Sequence, residues 1–355
     1  MSGIAKIAAS VASFFIVICL VINMLGQLAR PIAFDSDVWT SYYAEEDNTI
    51  NAVVIGSSAI YRYWMPTHAY EEQDFTSALI ATAGQDIRLV PYAMEESVKT
   101  QKADLFVVEV RSAITRGDVK KVGKAKLNYF LEVFSSGMKP SMTKFRMIDD
   151  LYDKDFKEKV KLMIPLLKYH DNLLEYDREF LVDRLNKTTD EFKMTRQVPN
   201  VSAQEEPVFK PGKNSYLTDE VKGYIDNIAA KADELGVKVL FLSTPYVPTR
   251  KQAAMQLELD DYLESQGYTY FDMNTCSDEI GLDYSTDYFD PRHTNIAGAR
   301  KVTSYLAKYL KDNYGLTEYL TDDQKQNWTD ACTAWNAEEE KIMGQWEKRV
   351  KKSGN

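Results

Sequence analysis

Histidine and cysteine are scarce, with three of each in 355 residues. His68, His170 and His293 lie far apart in the chain, and no Cys/His cluster has the spacing of a zinc site, so neither a metal nor another cofactor is expected. Cys19 sits among apolar residues. That leaves Cys276 and Cys332, either as one disulfide in an oxidising space or as two unpaired thiols. Basic charge is also in deficit: 43 Lys and Arg stand against 53 Asp and Glu, a formal net charge of −10, which argues against nucleic acid as a partner. The local cluster Lys120, Lys121, Lys124 and Lys126 reads as a solvated helix face or a contact for an anionic polymer.

Long apolar runs are missing except at the N-terminus. Residues 7–26 carry no charge and meet the roughly 20-residue requirement for crossing a bilayer. Lys6 precedes the run, while Arg30 is followed by Asp35 and Asp37, which favours a cytoplasmic N-terminus and an extracytoplasmic domain. A cleaved signal peptide is the competing reading. The run exceeds the ~7–15-residue apolar core of such a peptide, and no small-x-small site follows. An uncleaved single-pass anchor is therefore expected over residues 1–30, with a stalk, or a segment folded against the domain, over 31–49.

Beyond it the pattern becomes that of an α/β domain. Short apolar runs at 52–56, 76–80 and 104–110 alternate with helical spacing, as in a doubly wound parallel sheet covered on both faces. The alternation stops at Arg111. Residues 117–195 have helical spacing and many charges, and Pro199, Pro207, Pro211 and Gly212 mark a return loop. A helix capped by Thr218 and closed by Gly236 resumes the alternation, followed by strands at 237–242 and 268–272. The expected division is a first α/β part at 50–116, a helical insertion and return loop at 117–216, and a second α/β part at 217–315. A C-terminal amphipathic helix at 316–355 carries Trp328, Trp335 and Trp346 on one face, a stripe that most often packs on its own domain.

Two stretches carry chemistry. Gly56-Ser57-Ser58 follows the first strand and opens a helix, a place where a serine oxyanion can meet backbone N–H groups. Asp290-Pro291-Arg292-His293 lies in a loop before a late helix, and an aspartate three residues before a histidine can hold Nδ1–H and leave Nε2 to take a serine proton. Ser57 is the alternative nucleophile and Asp287 the alternative orienter. Arg62, four residues past Ser58, is a candidate for a substrate carboxylate or phosphate, or for a surface salt bridge. His68 has no carboxylate at useful spacing and reads as structural or surface, and His170 as a surface helix position ahead of a substrate contact.

Together, the Gly-x-Ser turn and the closing Asp-x-x-His resemble the SGNH (GDSL-like) hydrolase superfamily, in its membrane-anchored bacterial cell-envelope form, DltD-like and alginate-acetylation-like. The resemblance spans roughly residues 50–312. It implies a flavodoxin-like three-layer α/β/α fold with about five parallel strands. It further implies Ser58 as nucleophile, His293 as base, Asp290 as orienter and Gly84 as an oxyanion donor. The family's third block carries an asparagine where this chain has Glu109-Val110-Arg111, so Arg111 is the candidate replacement donor. The expected function is an extracytoplasmic O-acyl esterase or acyltransferase. Its expected partners are an acylated envelope carbohydrate or related polymer and a membrane-bound O-acyltransferase. The alternative is a catalytically silent module that binds the polymer or scaffolds a membrane complex.

Overall fold

Residues 3–31, 38–116, 123–186, 190–213 and 216–353 are described by a computed structural model. Five parallel strands form the central sheet: β1 (Ala52–Gly56), β2 (Ser77–Ala81), β3 (Leu105–Glu109), β4 (Lys238–Ser243) and β5 (Tyr270–Asp272). Their order is β2-β1-β3-β4-β5. β1 pairs with β2 from Ala52 opposite Ser77 and with β3 from Ala52 opposite Leu105. These three strands are buried along their whole length, as helices on both faces require, and each Val, Leu or Ile taken from water adds about 1.5–3 kcal/mol. β5, at the edge, is half-buried, with Phe271 stacked on Tyr309 at 4.3 Å.

The helices gather in two groups, consistent with three layers. Val90–Ser97 packs with Asp219–Leu235, and Pro66–Gln73 with Ile296–Tyr314 and the long C-terminal helix Asp322–Ser353. Local chemistry sets their ends. Thr218 accepts from Val221 N–H at the start of one helix, and Gly236 closes it with a left-handed φ of 69°. Thr321 and Gln324 bond reciprocally before the C-terminal helix, whose Trp328 and Trp335 are buried on its own domain.

Between β3 and β4 the described elements are helical. They include Lys124–Ser136, Met142–Leu151, Phe156–Met163, Pro165–Tyr169, Asn172–Glu175 and Arg178–Asn186. Lys120 and Lys121 lie outside the described residues. In the described part of residues 31–49, Val38–Ala44 is a helix with Trp39 and Tyr42 buried, Trp39 lying edge-on to Phe134 at 5.4 Å and Tyr42 donating to Ser97 O at 2.8 Å. Aromatic burial folds this segment against the domain. At the N-terminus, one helix, Gly3–Ala29, contains a stretch at Ile7–Ala29 long and apolar enough to cross a membrane or to serve as a signal sequence.

Candidate active site

In a 2-1-3-4-5 sheet the chain leaves β1 toward β2 on one side and continues in β3 on the other, so the carboxyl ends of β1 and β3 flank the switch point where such sheets bind ligands. β1 ends there at Gly56. A Cβ on Gly56 would stand 2.8 Å from Glu109 Cβ and 3.0 Å from Ile60 Cγ2, so only glycine lets the two strand ends close on each other. Ser57 then caps the short helix Ser58–Tyr61, its hydroxyl accepting from Ala59 N–H at 3.2 Å. This cap occupies the hydroxyl that sequence left as the alternative nucleophile. Ser58, the next residue, is half-buried at the start of the helix.

The second piece arrives on a feature that strand patterns did not reveal, a small antiparallel pair of β6 (Tyr288–Asp290) and β7 (His293–Thr294). Its tight turn folds Asp290 back onto His293. The Nδ1 of His293 lies 2.9 Å from both Asp290 oxygens, and its Nε2 lies 2.8 Å from Ser58 Oγ. An Nδ1–H donated to Asp290 leaves Nε2 as acceptor for the serine proton, the tautomer a general base needs. Asp290 also accepts Arg292 N–H at 2.7 Å. Burial opposes its ionisation, but the bond and charge of His293, with Arg292 adding to them, hold its carboxyl below the usual range. Burial depresses the His293 pKa, and the nearby positive charges of Arg111 and Arg292 act in the same direction against the pull of Asp290. A depressed imidazole is neutral, and so a base, at neutral pH.

The other sequence candidates fall at different distances from this line. Asp287 takes Lys301 Nζ at 2.7 Å and Asp283 N–H at 2.9 Å, bracing the following helix while Asp290 faces the imidazole. Arg62 donates to Arg196 O at 3.2 Å and lies over the rings of Tyr61 and Phe289, at 5.2 and 5.6 Å. Phe289 in turn stacks on His293 at 5.3 Å, so Arg62 reaches the base through a ring. Gly84 occupies the turn after β2 with a φ of 68°. His68 is buried beside Ser304 Oγ at 3.0 Å and Glu72 at 3.2 Å; the i+4 carboxylate overlooked in the sequence is there, as a structural contact. His170 is exposed next to Asp171. Cys276 and Cys332 are buried and unpaired, which settles the open choice between thiols and a disulfide.

Arg111 has a placement that the strand pattern could not supply. Its guanidinium is buried, with Nη2 2.6 Å from Arg292 O and Nη1 within 3.4 Å of Thr244 O and Pro245 O. It lies 4.6 Å from the centre of the Tyr246 ring and 5.3 Å from that of Tyr63. Tyr63 Oη lies 2.7 Å from both Pro245 O and Arg292 O. Arg111, Tyr63 and Tyr246 thus form a clamp on the loop that carries His293. Tyr63 and Tyr246 escaped sequence reasoning because neither belongs to a motif; only the fold brings them to Arg292. Beneath the clamp Glu109 is fully buried, and Arg111 N–H donates to it at 2.5 Å. Burial raises its pKa to about 7, against the opposing charge and N–H of Arg111.

A cavity of about 430 Å³ between Val90–Ser97 and Asp219–Leu235 is lined by Arg88, Glu95, Arg146 and Lys231 and by none of the Ser58, His293 and Asp290 side chains. The chemistry is therefore assigned on hydrogen-bond geometry. Fold and site define an α/β protein with a serine, a histidine and an aspartate in one hydrogen-bonded line at the switch point of a parallel sheet. No protein-family model matches this sequence, and no curated protein matches it.

Proposed function

We propose that the chain is a serine-dependent O-acyl esterase or acyltransferase of SGNH (GDSL-like) type, acting outside the cytoplasm on an acylated envelope polysaccharide or related polymer. The observation that carries this reading is the Asp290–His293–Ser58 line, with a 2.9 Å contact between groups three residues apart and a 2.8 Å contact between groups 235 residues apart in sequence. Ser58 Oγ attacks the ester carbonyl while His293 Nε2 takes its proton; His293 then returns the proton to the leaving alkoxide, and Asp290 stabilises the imidazolium between the two transfers. The acyl group passes from Ser58 to water in an esterase and to a sugar hydroxyl in a transferase. Backbone N–H groups of Ser58 and Gly84 are the proposed oxyanion donors. The apolar helix supports a membrane location, with a membrane-bound O-acyltransferase as the partner that would supply acyl groups. A fluorophosphonate probe on the full chain in detergent tests the reading. Intact mass should show one adduct on wild type, none on Ser58→Ala and much less on His293→Ala; an unlabelled, folded wild type would refute it.

A second reading, a catalytically silent module that binds the polymer or scaffolds a complex, draws support from Arg111. Where the family's third donor is expected, this guanidinium is bonded to carbonyls beneath the loop. The same labelling experiment separates the two.

A further inference from the structure

The apolar stretch Ile7–Ala29 spans 23 residues, but its two ends lie in different surroundings. From Ile7 through Val21 every residue is exposed, whereas Gly26, Leu28 and Ala29 are buried in the domain. Gly26 lies so close to the short helix Pro165–Tyr169 that a Cβ on it would stand 2.9 Å from Leu166 N. Arg184 Nη1 donates to Leu28 O at 3.1 Å and Asn172 Nδ2 to Ala29 O at 2.9 Å, satisfying carbonyls that a helix end leaves without intrahelical partners. The domain therefore takes up the last turns of the helix, and only the part before them stands free.

That free part is too short for a bilayer. At 1.5 Å per residue its roughly 15 residues reach about 22 Å, against about 30 Å of hydrocarbon. A shortfall of about 8 Å is met by a thinner bilayer or by other apolar surface that fills the missing depth. The missing depth corresponds to about five residues, Ile22 to Gly26. At that level Met24 is 46% exposed on the helix itself. Leu185, 52% exposed, lines one cavity with Asn23 and Met24. Leu167, 50% exposed, follows Leu166, whose backbone N lies beside Gly26. Three elements thus each present an exposed apolar side chain where the helix falls short. The acidic residues of the neighbouring segment begin at Asp171, next to the Asn172 that meets the very end of the helix at Ala29 O.

Resting on the membrane location given under the proposed function, we propose that Leu167 and Leu185, with Met24, form an apolar collar that sinks into the hydrocarbon of the bilayer the helix enters. The occupant of this surface is the lipid bilayer. A depth of about 8 Å lies within the range of about 5–10 Å to which interfacial elements bury an apolar face. The collar fixes the height of the domain over the membrane, which a flexible tether would leave free.

The test uses the full chain in phosphatidylcholine vesicles, with nitroxide labels read by electron paramagnetic resonance. Collision with oxygen, which concentrates in lipid, is compared with collision with a nickel chelate, which stays in water. The native Cys19, exposed on the free part of the helix, is labelled first and reports the membrane location itself; Cys276 and Cys332 are buried. Leu167→Cys, Leu185→Cys and, as an aqueous reference, Glu264→Cys are then labelled one at a time with Cys19→Ala. All three replaced residues are exposed, so the labels displace no core side chain. The oxygen-to-nickel ratio at 167 and 185 should exceed that at 264 several-fold and fall below that at Cys19. Ratios at 167 and 185 equal to that at 264, beside a lipid-buried Cys19, overturn the collar and leave the membrane location standing, the bilayer thinning to meet the helix instead. Free nickel collision at Cys19 would overturn the membrane location and the collar with it.

Discussion

Two neighbouring strands end side by side at the switch point, and their polar residues meet opposite fates. At the end of β1, Ser57 is consumed as a helix cap while Ser58 keeps its hydroxyl toward a base. At the end of β3, Glu109 and Arg111 are both buried, the Arg111 N–H donating to the Glu109 carboxyl and the guanidinium to loop carbonyls. Topological position alone therefore does not make a residue reactive. What separates the two ends is whether the fold has already spent the polar atom, and here the β3 end is spent on holding the β1 end's partner, His293, in place.

The sharpest way to break this contrast is at Ser58. Ser58→Ala should abolish turnover of a small activated acetate ester, by up to ~10⁶-fold, whereas Ser57→Ala should keep most of it and lose only a cap worth about 1 kcal/mol. Equal losses in the two variants would dissolve the distinction. Next comes the pair of aspartates three residues apart. Asp290→Asn should lower turnover by about 10⁴-fold, because an amide facing Nδ1 can hold the wrong tautomer. Asp287→Asn should leave turnover little changed and weaken the helix brace through Lys301. With wild type, the depressed imidazole places the acid limb of the pH–rate profile below 6.5, since His293 must be neutral to act and is protonated only in more acidic solution. A limb above 6.5 would contradict the environment described.

Much of this was legible before any coordinates. Buried strands carry dense apolar runs, so β1, β3 and β4 could be read to within a residue or so, and the Thr218 and Gly236 helix ends follow local rules that need no tertiary context. Ser58, Asp290 and His293 were legible because spacing three apart in a turn and a serine after a strand are themselves local signals. The β6–β7 pair was not, since two or three residues per strand leave no period to detect. Nor was the clamp: Tyr63, Arg111 and Tyr246 are far apart in the chain, and only the parallel register of β3 with β4 brings their neighbours together. What the segment at 38–44 packs against was not legible either, because aromatic residues in a short polar stretch do not say what they will be buried against.

The comparison is sharpened at Arg111. If it positions the His293 loop, Arg111→Ala removes the bonds to Arg292, Thr244 and Pro245 carbonyls together with the ring contacts. Turnover should fall by about 10²-fold, as for a reacting group displaced by an ångström, and stability by about 3–5 kcal/mol, as for one partner lost from a buried pair. A donor to the oxyanion would give the loss of turnover without the loss of stability, so a thermal midpoint measured beside the kinetics decides between the roles.

Glu109 gives the smallest effect and the most direct test of the spent strand end. Its carboxyl stays protonated in the folded protein up to about pH 7, while the unfolded chain releases that proton near 4.5. Between those values the folded state binds more protons than the unfolded one, so stability is greatest below about 4.5 and falls as pH rises toward 7. A shift of this size corresponds to roughly 3 kcal/mol across the window. Glu109→Gln keeps an oxygen for Arg111 N–H but cannot ionise, so its thermal midpoint should lose this decline between pH 4.5 and 7. Ser58 labelling at neutral pH should persist in the same variant, because the Glu109 carboxyl is hydrogen-bonded to none of the Ser58, His293 and Asp290 side chains. A midpoint that still falls with the wild-type slope would place the titrating group elsewhere, and the buried carboxyl would then be ionised and held by Arg111 throughout.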